Sequence, residues 1–79
     1  MLFQNPLLTT KGPLKSTVDA LRFIERELAP ELRSQSRWSF AEALLKEAER
    51  TKKKRDLNAA HRQLKQALQN DHLLRTGHG

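Results

Sequence analysis

Apolar residues return every three or four positions in three separate stretches of this chain, and that period leaves few architectures open to it. Val18, Leu21, Ile24 and Leu28 form the first stripe, with Ala20 and Phe23 beside it, while Arg22, Glu25 and Arg26 fall on other faces. Trp38, Ala41, Leu45 and Ala48 form the second, widened by Phe40 and Leu44. Leu57, Ala60, Leu64 and Leu68 form the third, with Ala67 alongside. A 3.6-residue turn gathers such positions on one face, so each stretch predicts an amphipathic helix that must bury its stripe against another element.

The ends of these helices follow from cap chemistry. Ser16, with Asp19 three residues on, starts a helix over 17–28, which Pro30 ends by disfavouring α geometry at Ala29. Residues 30–36 then read as a connection. Ser39 with Glu42 matches a capping box near the start of a second helix placed at 37–51, and Glu42 with Lys46 makes a surface pair on it. Asp56 is suited to cap a third helix over 57–70, and residues 75–79 read as a frayed tail. Ahead of these, 6–16 contains two short β-tolerant pieces around Lys11-Gly12, suited to a small hairpin that Pro6 and Pro13 restrict to edge-like strands. The expectation is a mainly α, small three-helix domain over 1–79, with room for a short N-terminal β-hairpin.

The same residues carry a resemblance. Ser16, Val18 and Ala20 open the first helix after a β segment, Trp38, Ala41 and Ala48 follow in the second, and Ala60, Leu64, Ala67 and Leu68 in the third. Over roughly Pro6 to Leu74 this order resembles a family of small single-domain bacterial proteins carried as a domain of unknown function. The chain departs from that pattern in lacking a cysteine in the middle helix and in having a basic run where a glycine-containing turn is usual. The resemblance implies a hairpin followed by three helices; it implies no activity.

Size limits what holds such a domain together. At 79 residues a single core is near its lower limit, and with no cysteine there is neither a disulfide nor a thiolate metal site to reinforce it. Absent cysteine suits a reducing compartment. The segment Met1 to Leu8 has no positive n-region and is interrupted by Gln4, Asn5 and Pro6, so a signal peptide is not expected, nor is a membrane span. A cytoplasmic location is the expectation.

Charge is unevenly placed. From Met1 to Glu49 seven basic residues balance seven acidic ones, whereas from Arg50 to Gly79 eight basic residues face only Asp56 and Asp71, so the whole +6 lies in the last part of the chain. The run Lys52-Lys53-Lys54-Arg55, extended by Arg50, Arg62 and Lys65, supplies the candidate nucleic-acid contacts, since each neutralised phosphate releases counterions. The plainer reading is a solvated joint whose cations complement the C-terminal dipole of the second helix. A helix-turn-helix is disfavoured, because the joint expected between 51 and 57 exceeds three to four residues and has no glycine. Asn58, Arg62 and Gln63 remain available for base contacts.

Catalysis finds little support. No serine sits in a Gly-x-Ser-x-Gly context and the glycines, Gly12, Gly77 and Gly79, form no phosphate-cradling loop, so no enzyme activity, cofactor or small-molecule substrate is expected. His61 and His72 stand about 16 Å apart along a helix, too far for a shared metal ion. Trp38 and Phe40 read as core, or else as an exposed anchor for a partner. The functional expectation is therefore a small non-enzymatic accessory or protein-interaction domain, self-association included, with nucleic-acid binding through 50–65 as the alternative. Leu2, Phe3, Leu7, Leu8, Leu73 and Leu74 lie beyond the stripes, to be covered by folding back or by a second copy.

Overall fold

The computed structural model describes residues 1–75. An antiparallel hairpin, β1 (Leu2–Thr9) and β2 (Gly12–Ser16), precedes α1 (Thr17–Arg26), α2 (Pro30–Arg33), α3 (Ser36–Thr51) and α4 (Lys54–Asn70). The described residues are mostly helical, 63%, and hold four helices where the stripes predicted three. The added one is α2, a single turn in the expected connection. Pro30 sits at its first position, where a missing N–H breaks no helical bond, and Ala29 before it is extended with ψ 140°.

The hairpin is longer than 6–16. Phe3 and Leu7 are both buried, so β1 reaches back to Leu2, and the pairing is irregular between Leu2 and Leu7, the stretch that holds Asn5 and Pro6. Beyond it the register is regular, with Leu7 opposite Leu14, Leu8 opposite Pro13 and Thr9 opposite Gly12. Gly12 takes φ 119°, which a side chain would strain. The buried Thr9 hydroxyl closes the turn, donating to Gly12 O at 2.6 Å and accepting from Lys11 N–H at 3.1 Å.

Helix boundaries moved where caps met tertiary contacts. Ser16 caps α1 as its sequence predicts, its Oγ accepting from Asp19 N–H at 3.1 Å. The helix stops at Arg26 rather than Leu28: Glu27 and Leu28 N–H both donate to Phe23 O, and Leu28 stays buried just past the end. Residue 36, not 37, begins α3, capped by the Gln35 backbone. The Ser39 capping box does not form, because Ser39 lies inside α3 with its N–H already donating to Gln35 O, and Glu42 pairs instead with Arg33 and Lys46, both at 3.3 Å. Likewise α4 starts at Lys54, ahead of 57, so Asp56 lies inside its first turn and accepts from Thr51 Oγ1 at 2.5 Å.

The joint between α3 and α4 is thus only Lys52 and Lys53, shorter than expected from 51 to 57. Lys52 takes the left-handed conformation, φ 58°, that glycine usually fills at a helix end. This turn sends α4 back antiparallel along α3. Thr51 meets Asp56 at one end, and Arg37 meets Asp71 through bonds of 3.0 and 2.5 Å at the other. Ala41 and Ala48 on α3 and Ala60 and Ala67 on α4 are all buried, small enough to bring the two helices together. This antiparallel return is unlike the crossing of a helix-turn-helix, and the two-residue joint is shorter than that motif's turn of three to four residues, not longer as expected.

Trp38, Ile24, Leu45, Leu64 and Leu68 fill the centre. Trp38 is core, 0% exposed, with its ring centroid 6.2 Å from that of Phe23, whereas Phe40 is 55% exposed. After α4 the chain turns at His72, φ 59°, and runs back along β1: Thr10 N–H donates to Leu73 O at 2.9 Å and Arg75 N–H to Leu8 O at 2.8 Å. Leu73 and Leu74 pack on the core by folding back. Arg75, expected in the tail, is held by that bond; 76–79 lie outside the described residues.

Candidate nucleic-acid interface

The seven candidate cations divide into two groups by what stands next to them. Arg50, in the last turn of α3, grips the Glu47 carboxylate with two guanidinium nitrogens and holds that carboxyl below its ordinary range, its own acidity weakened in return. Lys52 Nζ lies 2.8 Å from Glu49 Oε2. Glu49 is pushed down to about 2 by hydrogen bonds from Lys52, the Met1 amino group and the Thr17 hydroxyl. Arg55 Nε stands 4.0 Å from Asp56, the loosest of these pairs. Lys53, Lys54, Arg62 and Lys65 form no ion pair among the described residues.

Helical geometry brings most of these cations together. At 100° per residue, Lys54, Arg55, Asn58, Arg62, Lys65, Gln66 and Gln69 occupy one exposed side of α4, opposite Leu57, Ala60, Leu64 and Ala67. No acidic residue falls on that side. From Lys54 to Lys65 the cations span about 17 Å of helix at 1.5 Å per residue. The two glutamines extend the strip beyond the residues singled out from the sequence; only their place in the helical period marks them. Gln63, a candidate for base contact, is turned away, its amide donating to Arg37 O at 3.3 Å to tie α4 to α3.

Dipole complementarity accounts for only part of the basic run. Arg50 and Lys52 stand at the C-terminal end of α3, where cations are favoured. Lys53 is the cap of α4, and Lys54 and Arg55 belong to its first turn, at the positive end of its dipole, where cations are disfavoured by some tenths of a kcal/mol each. Folding alone gives no reason for three positive charges there.

The other candidate centres are structural. His61 Nε2 donates to Asn5 O at 2.9 Å, and its ring meets Phe3 edge-on at 5.1 Å, tying α4 to the irregular part of β1. Asp71 is held below its ordinary carboxylate range, chiefly by Arg37, and it also accepts from the Trp38 indole at 2.5 Å. Among the described residues no three His, Cys, Asp or Glu side chains are grouped to hold a metal, and no helix is long and apolar enough to cross a membrane. No family model, curated protein or solved structure matches the chain, so the likeness to the small bacterial proteins rests on its helix starts and alanine spacing alone.

Proposed function

We propose that this chain is a small, non-enzymatic binding module of the cytoplasm that holds nucleic acid by its phosphates along the outer side of α4. One observation carries the reading: Lys54, Arg62 and Lys65 share an acid-free exposed strip and have no internal partner among the described residues. Lysine and arginine so placed neutralise phosphates, while Asn58, Gln66 and Gln69 add neutral hydrogen bonds. The strip has no aromatic residue on which bases would stack, which favours a duplex backbone over single strands. With about four phosphates neutralised, the logarithm of affinity should fall against the logarithm of salt with a slope of about −3 to −4. Fluorescence anisotropy of a labelled duplex measures it. Lys54→Gln combined with Arg62→Gln should lower the slope by about 2; no salt-sensitive binding at low ionic strength would remove the proposal.

Exposed Phe40, with Leu2, Leu8 and Val18, favours a second reading as an accessory domain that docks a protein partner or another copy of itself. In that case Phe40→Ser should abolish association seen in sedimentation while leaving duplex binding unchanged.

A further inference from the structure

The first 49 residues are neutral as a sum, but the fold separates their charges. Between β2 and α1 lies an open trench of about 410 Å³ with Lys11, Lys15, Arg22 and Arg26 along it, and Pro13, Leu14 and Phe23 also lining it. Lys11 comes from the hairpin turn, Lys15 from the exposed side of β2, and Arg22 and Arg26 stand one turn apart on α1. Two acids share the trench, Asp19 and Glu27. Asp19 directs its carboxylate to a backbone group, accepting from Lys15 N–H at 3.1 Å, and Glu27 is the C-terminal cap of α1. Among the described residues none of the four cations is in an ion pair, although both acids are close by.

From this arrangement we infer that the trench between β2 and α1 binds an acidic, partly apolar segment of a partner protein. Three features select that occupant. The excess charge is positive, and guanidinium pairs one turn apart match carboxylates with directed, two-pronged hydrogen bonds. Exposed Pro13 and the aliphatic stems of the four cations, lying over the buried Leu14 and Phe23, offer apolar surface, which a phosphate backbone does not use and a leucine or phenylalanine between glutamates does. Finally, small-molecule sites enclose most of their ligand, whereas this one is open, as suits a segment of a larger chain. The trench is built on α1 and β2, with α3 packed against both α1 and α4, so it is separate from the strip on α4 and does not depend on it.

The test titrates the isotope-labelled protein with a short peptide alternating Glu with Leu and Phe, following backbone amide signals. Shifts should concentrate at Lys15, Arg22 and Phe23, weaken with salt, and be lost when the glutamates of the peptide are replaced by glutamine. Arg22→Gln with Arg26→Gln should reduce affinity about tenfold or more, as loss of two charge-assisted bonds does, and leave duplex binding intact. Both arginines are exposed, so the variant should keep the wild-type melting curve; if it does not, Lys11→Gln with Lys15→Gln provides the same reading without touching the helix. Equal binding of the glutamine peptide, shifts centred on α4, or no binding at low salt would each overturn the inference.

Discussion

Asp71 shows how much one residue joins in this small core. Its carboxylate accepts from Arg37 and from the indole of Trp38, a side chain with no exposed surface, so removing it leaves a buried N–H without an acceptor. Asp71→Ala should therefore destabilise the protein by about 1–3 kcal/mol in urea unfolding. Asp71→Asn should cost less, because an amide oxygen still accepts from the indole; an equal loss would mean that the charge, not the acceptor, matters. The carboxyls of Asp71 and Glu49 both titrate lower in the folded chain than in the unfolded one, Glu49 falling from 4.5 to about 2. As pH drops below about 4.5 the unfolded chain takes up these protons first, so the stability the two groups contribute is fully present above that pH and lost on the way down to about 2. Urea midpoints across this range should fall, and fall less steeply in Glu49→Gln. A midpoint that stays level between pH 5 and 2 would show that these bonds do not form in solution.

At the scale of elements, α4 has two demands placed on it. Its inner stripe is packed, and Leu64, completely buried between α3 and the rest of the core, should lose about 2–4 kcal/mol on replacement by alanine. Its first turn is electrostatically misplaced. Lys54→Glu, which replaces a disfavoured cation with a favoured anion at the helix start, should stabilise the fold by up to about 1 kcal/mol while weakening duplex binding. A melting temperature that rises together with a poorer duplex affinity would identify a charge kept for binding at the expense of stability; a fall in both would show that Lys54 has a structural partner in solution. The stripes made α1, α3 and α4 legible from spacing alone, and most of the residues facing inward, but Val18 at the head of the first stripe and Phe40 beside the second are exposed, and Thr17 is buried at the start of α1 instead. The ends of these helices were less legible. Ser39 and Asp56 have the right chemistry for caps, yet Glu42 and Asp56 found partners in Arg33 and Thr51 that no local pattern encodes.

Taken whole, the molecule is a hairpin laid on a helical layer, with the chain after α4 strapped back to β1. Its Cα radius of gyration is 11.5 Å, close to the roughly 11.5 Å expected for one chain of this length. With Phe3, Leu7, Leu73 and Leu74 packed on the core, the expected solution state is a monomer, and small-angle scattering should return a radius near that value. A radius of about 15 Å, the size scaling for twice the chain, would mean that exposed Leu2, Leu8 and Phe40 pair two copies. By itself the sequence determined that the protein is mainly helical, which faces are apolar, that Trp38 has core character, and that the excess charge follows Glu49. Each of these depends on residue type and local period, which act over a turn or two of chain. Only the tertiary structure decided that Glu49 also meets the Met1 amino group and the Thr17 hydroxyl, whereas the pairs of Glu47 with Arg50, Glu49 with Lys52 and Asp56 with Arg55 lie within three residues of chain and, among the described residues, leave Lys54, Arg62 and Lys65 without an acid. It alone also made a cationic trench out of a neutral half. Charges that cancel along the chain do not cancel in space once Lys11 and Lys15 of the hairpin are folded against Arg22 and Arg26 of α1.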